Sequence, residues 1–225
     1  MYWKKGICFI IGFTSCLFSP ISAQDDFGSI IGFDITKKIV NGLNITFEEE
    51  FRTRSNFSVT DRIAHTLELN YKPIEYLKVG GAYNLIQFNH EKRSWELRHR
   101  YYFYATGSLE AGRFSFSLRE RFQSTKRQGI ASTKTRANPK LYLRSRFKID
   151  YDIRKCKFDP YASVELFNTL NNPQKNKMER WRGVAGVEYK PNKKSAFQVY
   201  YRYTNYVDEE DSNKHLFGAG YSFKF

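Results

Sequence analysis

Residues 95–103 read WELRHRYYF, and their alternation decides the fold. Trp95, Leu97, Tyr101 and Phe103 form one alternate set, with His99 among them. Glu96, Arg98, Arg100 and Tyr102 form the other. Successive side chains of a strand point to opposite faces, so this is a strand with one greasy and one ionised face. The same habit runs through nearly the whole chain. Leu43, Ile45, Phe47 and Phe51 oppose Glu48, Glu50 and Arg52; Leu67 and Leu69 oppose Glu68. Phe116, Leu118 and Phe122 oppose Arg119 and Arg121, and Leu143 and Phe147 oppose Arg144 and Arg146. Val164 and Leu166 oppose Glu165, Trp181 and Val187 oppose Arg182 and Glu188, and Val199, Tyr201 and Tyr203 oppose Arg202.

Composition agrees with a sheet that is wet on one side only. Aromatic residues make up 17% of the 225 residues, yet charged residues make up 27% and the mean hydropathy is −0.61. At the N-terminus, Lys4 and Lys5 precede a twelve-residue apolar run, Ile7 to Phe18, and Ile21-Ser22-Ala23 offers small residues for cleavage. This predicts a cleaved secretory signal over residues 1–23 and a mature domain over 24–225. Cleavage removes two lysines and no acid, which takes the formal charge from +14 to +12, and leaves Cys156 as the single cysteine. No internal disulfide is then available.

Alternation marks about eleven strands of roughly 9–12 residues, a length suited to a tilted bilayer crossing. Short connections are expected near 40–42, 73–76, 105–108, 152–157 and 191–194. Longer polar ones are expected near 55–61, 89–93, 124–139, 168–180 and 205–213. Tyr71, Trp95, Tyr151, Trp181, Tyr189 and Tyr203 fall near strand ends, where an interfacial girdle belongs. The pattern predicts an all-β, antiparallel transmembrane β-barrel in the outer membrane of a Gram-negative bacterium. With both chain ends in the periplasm an even count is expected, about 10 or 12 strands and preferably 12. A soluble periplasmic β-sandwich binding protein is the alternative fold; it would keep its charges in open water.

The terminal residues GAGYSFKF resemble the assembly signal of bacterial outer-membrane barrels. By that resemblance Gly220, Phe223 and Phe225 are read by the barrel-assembly machinery, although Gly218 stands where the pattern has a polar residue. The motifs EEEFRTR, WELRHRYYF, SLRERF, LYLRSRF and PYASVELFN, spread over residues 27–225, resemble the family called domain of unknown function 2490. The resemblance implies an outer-membrane barrel and no particular activity.

The interior would then carry Glu48, Glu50, Arg52, Glu68, Glu96, Arg98, Arg100, Arg113, Arg119, Arg121, Arg144, Arg146, Glu165, Arg182, Glu188 and Arg202. Charges in a confined space must find partners. The lumen is therefore either a self-satisfied ion-pair network that makes the barrel structural, or a narrow, arginine-biased path for a small anionic solute. A lipid A or phospholipid-modifying enzyme is the alternative function. Such chemistry needs a base and a nucleophile. His65, His99 and His215 fall on the outward set and His90 in a loop, and His99 is a weak candidate for the base. Glu49 and Glu120 also fall outward, between apolar neighbours. Either they meet a partner or a bulge turns them inward, and the bulge is the expectation. No metal-ligand spacing or cofactor motif is present, and the basic residues are spread by alternation, unlike a nucleic-acid-binding face. Loop cations Lys126, Arg127, Lys134, Arg136, Lys175, Lys177 and Arg180 would meet lipopolysaccharide phosphates or solvent.

Overall fold

The computed structural model describes residues 25–131, 133–172, 176–207 and 213–225, with the side chain of Arg136 excepted. The expected signal, residues 1–23 with Cys8 and Cys16, and the loop cation Lys175 lie outside the described residues. Eleven strands follow one another: β1 (Asp26–Val40), β2 (Leu43–Arg54), β3 (Val59–Ile74), β4 (Leu77–His90), β5 (Ser94–Ala111), β6 (Phe114–Arg127), β7 (Lys140–Tyr151), β8 (Phe158–Thr169), β9 (Met178–Tyr189), β10 (Ser195–Tyr206) and β11 (Lys214–Lys224). Each pairs antiparallel with the next, and β1 closes on β11. A closed barrel has no free edge, and this one is not the two-sheet sandwich.

The closing pair is parallel, running from Asp26 opposite Lys214 to Thr36 opposite Lys224. That pairing reconciles an odd strand number with closure. The even count, and the preference for 12, assume an antiparallel closure that β1 and β11 do not make, because both run from the long-loop rim to the short-turn rim. Connections at the short-turn rim are two to six residues long and those at the other rim three to twelve.

One expected turn moves. Residues 105–108 are not a connection; β5 continues through them, paired with β4 and β6, and turns at Gly112, whose φ of +64° suits glycine. Arg113 therefore sits in that turn and not on an inward strand position.

The outer wall is apolar: Ile31, Leu67, Phe103, Val199 and Phe217 are each more than half exposed. On β3 this band runs from Ile63 to Tyr71. At about 3.3 Å per residue and a tilt near 40°, that is a height of about 20 Å. Trp95, Trp181 and Tyr203 lie toward the long-loop rim, and Tyr71, Tyr151 and Tyr189 toward the short-turn rim. Their rings are supported by neighbours, as in Trp181 against Tyr203 at 5.4 Å and Phe158 against Tyr189 at 4.7 Å. The inner wall is mainly polar: Thr66, Asn70, Gln123, Arg144 and Glu165 are all buried, among a few inward apolar side chains such as Ile30, Ile86 and Phe167.

Candidate functional site: the charged lumen

Inward side chains enclose a cavity of about 470 Å³. Glu48, Glu50, Arg52, Glu68, Arg100, Arg119, Arg121, Arg144, Arg146, Glu165, Arg182, Glu188 and Arg202 line it. Arg98 lines a second cavity of about 800 Å³ toward the long-loop rim. Glu96 lines neither; it is at the start of β5, ion-paired at 3.0 Å with Arg93 and with Arg98. Both cavities touch Arg52, Arg62, Arg100, Arg180, Arg182 and Gln123, so five guanidinium groups stand where they meet.

Arg180 is a surprise of position. It reads as a loop cation, yet it belongs to β9 and its guanidinium lies 4.2 Å from the Phe167 ring inside the barrel. A register shift opposite Phe167 and Asn168 accompanies the change, and neighbouring Glu179 also faces inward, accepting a hydrogen bond from the Tyr142 hydroxyl at 2.7 Å. Arg127 likewise lines the upper cavity from the end of β6. Arg62 was legible by alternation on β3, next to the buried Asp61 it bonds at 2.7 Å.

Glu165 organises the basic wall. Its carboxylate accepts from Arg144 at 2.8 Å, Arg119 at 3.0 Å and Arg182 at 3.4 Å. One negative charge thus faces three positive ones. Arg144 also donates to Gln123 at 2.7 Å. Among the described residues Arg100, Arg121, Arg146 and Arg202 make no ion pair; Arg100 donates to the Thr125 hydroxyl at 3.2 Å, and Arg121 stacks 3.9 Å from the Tyr102 ring centre. Across the first cavity, eleven cationic side chains face six carboxylates, an excess of five positive charges.

The outward residues keep their register. Glu49 lies opposite His65 in an unbroken stretch of the β2–β3 ladder and bonds it at 2.6 Å. Glu120 accepts from the Ser145 hydroxyl at 2.8 Å, again in register. The expected bulges are absent at both positions; each carboxylate satisfies itself with the polar residue directly across the strand pair. His99 also faces outward, between the Tyr83 hydroxyl at 2.7 Å and the Gln128 side chain at 3.1 Å. Those partners are a phenol and an amide. No carboxylate orients the ring among the described residues.

At the terminus, Phe223 faces outward opposite Ile35 and Ser195, and Phe225 ties its backbone nitrogen to the Thr36 carbonyl at 2.9 Å. Gly220 lies inside, against the Gln198 side chain. Gly218 is glycine for a steric reason: a Cβ there would stand 2.1 Å from the Tyr200 ring, which lies flat on it.

An antiparallel ladder closed by one parallel pair, apolar outside and ionised inside, is built as transmembrane β-barrels are. The chain belongs to the family described as "Protein of unknown function (DUF2490)", which matches residues 31–215. It is similar in fold to a solved structure described as the NanC porin in a rhombohedral crystal form. That similarity has a TM-score of 0.56 at 14% identity and covers 89% of this chain and 99% of the other. No curated protein matches the sequence.

Proposed function

We propose that the protein is a narrow outer-membrane passage that favours small anionic solutes. The observation that carries this reading is the meeting of the two cavities at Arg52, Arg62, Arg100, Arg180 and Arg182. A ring of fixed cations selects anions by replacing part of their hydration and repelling cations. Guanidinium forks suit carboxylates in particular, since two parallel hydrogen bonds form at once. A lumen filled only by its own ion pairs would leave no guanidinium over, whereas four of the arginines lining this cavity make none among the described residues. The apolar outer band and its two aromatic girdles support a bilayer as surroundings, and with the expected signal they support an outer-membrane address. In that setting the rim cations Lys126 and Lys134 would meet lipopolysaccharide phosphates, and Gly220, Phe223 and Phe225 would be read during assembly.

The test is the reversal potential of purified protein in planar bilayers under a KCl gradient. Stepwise conductance with chloride preference is expected. A silent membrane makes the barrel structural, and cation preference overturns the assigned selectivity.

A further inference from the structure

The charges of the first cavity are divided unevenly between its walls: β1–β3 bring four carboxylates against Arg52 and Arg62, whereas β5–β7 bring five arginines and Lys148 and no acid. Asp34 on β1 is the direct cross-strand partner of Glu48 on β2, and both line the first cavity with Glu68 of β3. Across β4, whose residues on this cavity, Asn84 and Ile86, are uncharged, the sign reverses. There Arg121 is the direct partner of Arg144, and Arg119 of Arg146. Like charges placed opposite each other on adjacent strands are unfavourable. A lattice built only to neutralise itself would alternate them.

The two walls do not reach each other. Among the described residues Glu48 and Glu68 make no ion pair, nor do Arg121 and Arg146, although all four border the same cavity. Glu68 is held by the hydroxyls of Tyr104 at 2.6 Å and Tyr102 at 3.3 Å, and Arg121 lies over the Tyr102 ring from the other side. These tyrosines stand between the walls as spacers. The Nε atoms of Arg119, Arg121, Arg146 and Arg202 are buried and have no hydrogen-bond partner among the described residues.

We infer that the cavity holds small dipolar solutes, molecules carrying a carboxylate and an ammonium group, with the carboxylate on the β5–β7 wall and the ammonium on the β1–β3 wall. This rests on the passage reading and goes beyond its solute class, since such molecules carry a carboxylate but no net charge. A field across a low-dielectric bore favours a molecule whose two ends both match it over a simple anion, which matches it at one wall only.

The experiment compares four-carbon probes in proteoliposome swelling, corrected for protein-free vesicles: 4-aminobutyrate, the neutral erythritol and the anion erythronate. The expected result is 4-aminobutyrate entering about threefold or more faster than erythritol. The double variant Glu48→Gln/Glu68→Gln should bring the two rates together and shift the KCl reversal potential further toward chloride. Both substitutions keep side-chain shape, and heat-modifiable gel migration confirms folding. Equal entry of 4-aminobutyrate and erythritol in the native protein, with chloride preference retained, overturns the dipolar class and leaves the passage standing. So does a preference that the double variant keeps. If nothing conducts, the passage reading fails, and calorimetric titration of the detergent-solubilised protein with 4-aminobutyrate decides the site. Saturable heat that the double variant loses upholds the inference, and absence of heat overturns it.

Discussion

Asp34 and Glu48 face each other across β1 and β2, two carboxylates in direct register on the inner wall. Asp34 receives a hydrogen bond from Ser222 at 2.7 Å, and Glu48 is exposed to the cavity. Local rules of sheet pairing are broken where function demands it. Replacing Glu48 by Gln should therefore stabilise the barrel, by about 0.5 kcal/mol. A higher midpoint of urea unfolding in liposomes checks this; a lower one would show that the pair is stabilising as it stands.

Glu165 is the opposite case, a buried acid shared by Arg119, Arg144 and Arg182. Removing one partner of a buried ion cluster leaves charge uncompensated. Glu165→Gln should cost about 3–5 kcal/mol of unfolding free energy. The same variant adds one net positive charge to the lumen, so its reversal potential should move toward chloride wherever it still folds.

Outward positions obey different rules. Leu67 is half exposed in the middle of the apolar band. Leu67→Arg should cost about 2–4 kcal/mol in a bilayer, the price of a cation at mid-depth on a lipid face. Trp95→Arg, near the rim, should cost about 0–1 kcal/mol on charge grounds. Equal losses at the two sites would contradict the placement of the band.

Gly218 and Tyr200 test the inner packing. Gly218→Ala drives a methyl into the Tyr200 ring and should cost about 1–3 kcal/mol. Tyr200→Ala removes the obstacle, so the double variant should be more stable than the sum of the single effects, with a coupling of about 0.5–3 kcal/mol.

Much of this was legible because a strand has period two. From Glu48, Arg100 or Arg144, inward and outward followed at once from the neighbouring Phe47, Tyr101 and Leu143. What alternation does not give is the order of strands around the bore and their relative shift. The sorting of Asp34 and Glu48 from Arg121 and Arg144 depends on both. Arg180 reads as a loop cation because it follows a polar loop and sits beside a register shift. Residues 105–108 read as a turn because Gly107 resembles a turn residue, while the ladder runs through it toward Gly112. Glu49 reads as a register error only while His65, sixteen positions later, is not known to lie beside it. Parallel closure left no mark in the alternation, which is the same in β1 and β11 whichever way they pair.

Alternate side chains look into lipid and into a wet, ionised lumen. Spin labels at 66, 67, 68 and 69, one at a time in a Cys156→Ser background and in liposomes, read this alternation out. High oxygen accessibility is expected at 67 and 69, and high accessibility to a water-soluble nickel complex at 68. Nickel access that is uniform along the four positions, or highest at 67 and 69, would contradict it.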